Sequence, residues 1–375
     1  MRKTSIAIIA SFFAMESCAY AQSSVTLYGL IDVGVNYINN VRGHYNIALT
    51  SGVVQGSRWG LKGREDLGGG LSAIFTLENG FDVTNGTLGQ GGALFGRQAY
   101  AGFSSERFGT ITLGRQYDLL TDFIAPLSIL TETGIGAPLD NDNTDHTIRL
   151  NNTVKYTSAD YGGLKFSGLY AFSNSPSSDA AGTGFAANRA WNFGAAYMHG
   201  PINLAVAYSS MNGLGANSTG AITNAPVNAP VLKTVTSQKI FAAAGGYTFG
   251  PATVNLVYSH VKFKGSTQNF INNGEDVNNY QINGVYHVTP ATVLSAGYYY
   301  TDIVQNVGNI KPKFQILQLM ADYFLSKRTD VYVLGAYQRA NSDAGPASFA
   351  PYPLDSGVSG TGNQVLVRVG MRLKF

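Results

Sequence analysis

A sixteen-stranded, antiparallel, up-and-down transmembrane β-barrel is the all-β fold that the sequence predicts, and three observations predict it. The chain divides into sixteen segments whose apolar residues recur at every second position, the side-chain period of a strand. The connections between the segments alternate short and long from end to end, the rhythm of a barrel with tight turns at one rim and loops at the other. The last alternating run, QVLVRVGMRLKF, stops on Phe375 with nothing after it.

The first residues read as a secretory leader. Arg2 and Lys3 precede a short apolar core, Ser5 to Met15, and Ala19-Tyr20-Ala21 fits a small-residue cleavage site, so 1–21 is expected to be removed. The single cysteine, Cys18, falls in that leader, which leaves no disulfide framework and no cysteine metal site. After residue 21 no apolar run approaches the roughly 20 residues of a membrane helix. Charged residues make up 13% of the chain, well below the roughly 25% of soluble domains. Removing the leader lowers the net charge from +3 to +2, a balance that argues against a nucleic-acid partner.

The predicted strands are 25–38, 53–65, 71–82, 93–105, 109–117, 149–159, 163–173, 189–199, 201–211, 239–249, 251–262, 278–289, 291–302, 314–326, 329–340 and 364–375. Short turns such as DLGGG, SERFG, ADYGG, HGP and FGP join alternate pairs, and longer polar stretches join the rest. In the first strand Val25, Leu27, Ile31, Val33, Val35 and Tyr37 oppose Thr26, Tyr28, Asp32 and Asn36. In the ninth, Ile202, Leu204, Val206 and Tyr208 oppose Asn203, Ala205, Ala207 and Ser209. The fourth, fourteenth and fifteenth are ambiguous by parity. The last strand puts Val365, Val367, Val369, Met371, Leu373 and Phe375 on one face and Arg368, Arg372 and Lys374 on the other. An open sheet edge is untenable in hydrocarbon, where each unsatisfied backbone group costs several kcal/mol, so this strand is expected to pair with the first.

The stretches GSRWGLKGREDLGGGLSAIFTLENGFDVTNG and RQAYAGFSSERFGTITLGRQYD, the start SSVTLYGLIDVGV, the segment NNTVKYTS and the terminal VGMRLKF resemble the general porins of β-proteobacteria, the outer-membrane porins of Burkholderia, Bordetella and Comamonas. The resemblance spans the chain after its leader. It implies a homotrimeric, water-filled channel of the Gram-negative outer membrane, without cofactor, whose third outer loop folds into the lumen. It further implies that Phe375 is part of the signal read by the barrel-assembly machinery. The loop here reads QYDLLTDFIAPLS and lacks the PEFGG of some other porins.

The third loop, 118–147, is long enough to suggest a task of its own. Its start is apolar and its remainder acidic, with Asp118, Asp122, Glu132, Asp140, Asp142 and Asp145. By itself this pattern fits either a solvated outer loop or an inserted constriction, and the resemblance favours insertion. Arg58, Lys62 and Arg64 share a parity on the second strand, and Arg149 and Lys155 share one on the sixth. Charge facing lipid at mid-membrane costs about 2–4 kcal/mol, so these residues are expected to line the lumen. The resemblance places Arg58, Arg97 and Arg149 at the narrowest point. Glu78 is expected beside them, and Arg368 and Arg372 nearer the mouth of the pore.

The function so implied is passive diffusion of small hydrophilic solutes and ions, with a mild preference for anions where arginines line the bottleneck. Outer-membrane lipid and lipopolysaccharide are the expected surroundings. The alternative is a channel selective for one organic acid or sugar. An enzyme is disfavoured, because His44, His146, His199, His260 and His287 are scattered and no HExxH, GxSxG or Gly-Lys dipeptide occurs.

Overall fold

A computed structural model describes residues 23–175, 184–214, 216–222, 232, 235–265, 275–304, 310–349 and 357–375. The leader 1–21 lies outside the described residues. One continuous antiparallel sheet contains β1 (Ser24–Val41), β2 (His44–Ser51), β3 (Arg58–Gly68), β4 (Leu71–Gly80), β5 (Gln98–Ser105), β6 (Gly109–Tyr117), β7 (Arg149–Thr157), β8 (Leu164–Ala171), β9 (Arg189–His199), β10 (Ile202–Asn212), β11 (Ser237–Phe249), β12 (Ala252–Lys264), β13 (Asp276–Thr289), β14 (Thr292–Val304), β15 (Lys313–Phe324), β16 (Thr329–Ala340) and β17 (Asn363–Lys374). From β3 onward each strand pairs with the next in sequence, β2 and β3 both pair with β1, and β17 closes on β1 from Leu30↔Lys374 to Ile38↔Leu366. The result is a closed up-and-down barrel.

The seventeen strands make sixteen staves, because β2 and β3 lie end to end against β1. The sequence pattern placed a single strand at 53–65. Instead the stave starts at His44, and the first loop-end connection shrinks to the turn Arg42-Gly43, with φ of 53° and 90°. The stave then breaks over residues 52–57, an inward excursion with its own hydrogen bonds. Ser57 Oγ accepts from the Asp32 N–H at 3.1 Å and donates to the Asp32 carbonyl at 3.1 Å. The Asp32 carboxylate accepts the N–H groups of Val54 and Gln55 at 2.9 and 2.7 Å. A serine and an aspartate thus replace the missing ladder, and no period-two pattern could announce that.

Alternation holds on the remaining walls. Val25, Leu27, Val35, Val367 and Val369 are exposed on the outer face, while Asp32, Asn36, Gln364 and Arg368 are buried on the inner one. β15 and β16 were ambiguous because both of their faces are apolar: Leu317, Leu319 and Val333 face out, and Ile316, Met320, Tyr332 and Leu334 are buried inside. The inner set is apolar because part of the 118–148 connection covers it, in one cluster with Val53, Val54, Ile129, Ile135 and Ala137.

That connection enters the barrel and runs along its wall. Its first part, the helical turn Leu120–Ile124, packs on β9, β10 and β11. Three glycines provide footholds: a Cβ on Gly194, Gly246 or Gly297 would lie 2.6, 3.4 and 2.6 Å from side-chain atoms of Phe123, Leu127 and Ile129. Inner-wall amides hold the loop backbone, with Asn283 Nδ2 donating to the Leu127 carbonyl at 2.9 Å and Gln318 Nε2 to the Ile135 carbonyl at 3.0 Å. At Gly134 the backbone turns left-handed, with φ of 72°, where a Cβ would collide with the Val53 carbonyl. The returning half lies against β11 and β13, where Gln238 Nε2 donates to the Asn141 carbonyl at 2.7 Å and Asn279 Nδ2 to Asn141 Oδ1 at 2.6 Å.

Candidate pore constriction

Four strand ends bring the central group together. Arg58 opens β3 after the excursion, Glu78 lies near the end of β4, Arg97 immediately precedes β5, and Arg149 opens β7. Arg97 Nε donates to Glu78 Oε1 at 2.7 Å, and Arg58 Nε lies 3.8 Å from Glu78 Oε2. Tyr28 Oη donates to the same Oε2 at 3.0 Å. Tyr117 Oη accepts from Arg97 Nη2 and from Arg149 Nη2, each at 2.7 Å, and so holds the two guanidinium groups apart. A cavity of about 720 Å³ opens in front of this group, lined by Arg58, Glu78, Arg97, Tyr117 and Arg149 on the wall and by Thr131, Gly134, Asp145, His146 and Thr147 of the loop.

The other expected residues lie elsewhere. Lys62 is exposed on β3, farther from the cavity, its ammonium 5.4 Å from the Tyr28 ring centre. Lys155 pairs with Asp122 at 2.5 Å beside the loop's start. Asp118, expected as a constriction acid, is wholly buried and caps its own loop, accepting from the Thr121 N–H at 3.0 Å and from Asn143 Nδ2 at 2.8 Å. Asp140 is likewise buried within the loop, and Glu132 faces Ser295 on β14 at 3.4 Å. The loop folds back on itself, which turns Asp118 and Asp140 into internal supports, while half-buried Glu132 faces the wall; Asp145 is the loop acid that lines the cavity.

Arg368 corrects a second expectation. It is fully buried in the wall, not set at a mouth, and pairs with Asp32 at 3.0 Å while donating to Tyr332 Oη at 2.7 Å and Asn36 Oδ1 at 2.8 Å. The end of β2 closes over it, where Thr50 Oγ1 accepts from Arg368 Nη1 at 2.7 Å. Arg372 is also buried, between Asp330, at 2.7 Å, and Asp322. Arg368 braces the seam between β17 and β1, whereas Arg372 ties β17 to β16 and β15.

Burial pushes the Asp118 carboxyl up to about 6 and, with mutual repulsion, holds Asp140 and Asp145 well above the usual carboxylate range. Burial, with Arg149 next to it, pushes the His146 imidazole down to about 3. Sequence reasoning overlooked Tyr117, Tyr28 and Arg115. The last shares the parity of the lipid-facing Leu113, and its charge on that side was the signal. A register shift between Gly114 and Gln116 lets it donate to the Gly96 carbonyl at 2.9 Å instead.

The chain is similar to known proteins along nearly its whole length. The family described as Gram-negative porin matches residues 5–344. An outer membrane porin protein of Bordetella pertussis is 30% identical over 384 residues, covering 90% of this chain and 94% of that one. Outer membrane porin protein 32 of Delftia acidovorans is 29% identical over 386 residues, covering both chains fully (100% each). Among solved structures, the anion-selective porin from Comamonas acidovorans superposes with a TM-score of 0.77 at 26% identity, over 94% of this chain and 100% of that one. A barrel closed strand to strand, a loop seated against its inner wall and these likenesses agree on one assignment: the chain belongs to the Gram-negative porin family.

Proposed function

We propose that this porin is a passive outer-membrane diffusion channel for small hydrophilic solutes and ions, with a preference for anions set by Arg58, Arg97 and Arg149. The observation that carries the reading is the cavity between loop and wall, where three guanidinium groups gather on Glu78 and Tyr117 and where the nearest loop acid, Asp145, is held toward its neutral form. Glu78 is engaged by Arg97 and Arg58, so the field left over in the passage is positive and lowers the barrier for anions. Reversal potential in a salt gradient tests this. Arg58→Ser should shift it toward zero, and an unchanged value would remove Arg58 from the bottleneck. Conductance linear in solute concentration is expected; saturation by one organic acid would favour a selective channel.

The mature chain begins near Gln22 and works as a homotrimer. Strand length supports the second point: β5 and β8 have eight residues each, against thirteen or fourteen in β11 to β14. A tilted strand needs about 9–11 residues to cross a bilayer, so the short-strand side is the face for other copies. Phe375 serves recognition by the barrel-assembly machinery. Lipopolysaccharide borders the loop end of the longer strands.

A further inference from the structure

The outer faces of β11 and β12 carry a cluster of cations above an apolar furrow, and the pore uses neither. Lys239 and Lys262 stand directly opposite each other across the ladder, a placement that is destabilising for like charges. Asp276 Oδ1 lies 3.4 Å from Lys262 Nζ and also 3.4 Å from His260 Nε2. That one carboxylate is shared, and among the described residues Lys239 and Lys264 form no ion pair. Beneath the lysines comes an aromatic band, with the rings of Tyr258 and Tyr280 5.2 Å apart. Ala243, level with Tyr258, and Gly245, deeper and between Leu204 on β10 and Leu256 on β12, leave the β11 row low. The furrow they open measures about 910 Å³. From Lys239 to Gly245 the strand runs about 20 Å, at roughly 3.3 Å per residue.

We propose that this face holds a phosphorylated lipid of the outer leaflet, its phosphate among Lys239, Lys262 and Lys264 and one acyl chain in the furrow over Ala243 and Gly245. Clustered ammonium groups served by one carboxylate call for an anion, and charge-assisted contacts to phosphate oxygens supply one. The ammonium groups sit at the loop end, above the aromatic band that marks the membrane interface. A furrow floored by small residues accepts a linear chain where bulkier side chains would leave a ridge. The strands here are long enough to cross the bilayer, so this side meets lipid and not a second copy. The inference rests on the reading that the loop end faces outward in the outer membrane.

Native mass spectrometry of the full detergent-solubilised protein tests it, with bis-phosphorylated lipid A and the same lipid stripped of both phosphates as probes. The phosphorylated form should bind and the stripped form should bind at least about tenfold more weakly. Lys239→Gln with Lys264→Gln should lower affinity for the phosphorylated form by about tenfold, and Gly245→Leu should lower it for both forms by filling the furrow. Equal binding of the two lipids, or unchanged affinity in the double lysine variant, overturns the proposal. Dissociation of the oligomer by Gly245→Leu overturns it too, because the furrow would then be a subunit contact. Single-channel conductance on the same preparations tests the pore reading separately: a conducting barrel that binds no lipid sinks only the lipid site.

Discussion

The ring of Phe375 lies on Gly29, and the two residues exchange both backbone hydrogen bonds at 3.0 Å each. A Cβ on Gly29 would lie 2.3 Å from the ring's Cζ, so the first strand is bare where the last residue lands. The final pair of the closing seam is therefore built from a residue with no side chain and a residue with a large flat one. Gly29→Val should evict the ring and destabilise the barrel by about 1–3 kcal/mol, the usual range for overpacking. Phe375→Ala should cost less, roughly 1 kcal/mol, because the ring is only about half covered. Urea unfolding of the refolded barrel measures both, and a Gly29→Val protein as stable as the parent would show that the contact has no weight.

Glu78 is the acid at which Arg58 and Arg97 meet, and its removal should sharpen the anion preference proposed for the constriction. Glu78→Gln keeps the shape and deletes one negative charge beside the passage. At about 6 Å in water that charge contributes roughly 0.7 kcal/mol to an ion's energy, about threefold in relative permeability. The reversal potential should move further toward the anion limit. A shift toward cations would mean that Arg97, freed of its partner, leaves the passage.

The strands whose outer face is apolar and inner face largely polar, such as β1 and β17, were legible in the sequence because one physical contrast, lipid against water, writes a period of two. Legibility failed where a third surface intervenes. β15 and β16 carry Ile316, Met320 and Leu334 inward because the loop covers them, and that contact joins residues far apart in the chain. The break at 52–57 was missed for the same reason: Ser57 and Asp32, which repair it, are 25 positions apart. At the site, the charges of Arg58, Arg149 and Glu78 stood out on parity and resemblance, and that of Arg97 on resemblance alone. The acids of the loop did not sort themselves, because one-dimensional spacing cannot tell Asp118, which caps its own turn, from Asp145, which reaches the cavity.

The glycine footholds make the loop's seat testable without touching the pore charges. A Cβ at Gly297 would lie 2.6 Å from Ile129 Cγ1, whereas Gly335, on the outer face, has nothing within 4 Å. Gly297→Val should therefore unseat the loop, destabilise by about 1–3 kcal/mol and change single-channel conductance with added gating noise. Gly335→Ala is the control and should conduct like the parent. Identical records from both variants would mean that the loop's position does not depend on this contact.

Acidity should tune the same passage through Asp145. Its carboxyl is held well above the usual range by burial and by the neighbouring Asp142, so it ionises only as pH rises past the ordinary carboxylate value. At low pH it is neutral and the arginines act unopposed; at higher pH it adds a negative charge to the cavity lining. Anion preference should therefore fall as pH rises. His146, pushed down to about 3, stays uncharged above pH 4 and contributes nothing to the trend. Asp118 bears on the loop's seating in the same direction. Its folded-state value of about 6 exceeds the ordinary value of 3.8, so the stability it contributes is full below that ordinary value and is lost as pH rises through about 6. His146 opposes it, since a depressed imidazole destabilises the seated loop as pH falls below its ordinary 6.5. Reversal potentials across pH 4 to 8 separate the two effects. Asp145→Asn should flatten the selectivity trend and hold it at the low-pH value, whereas Asp118→Asn should leave the slope intact. A slope that survives Asp145→Asn would place the titrating charge elsewhere in the lumen.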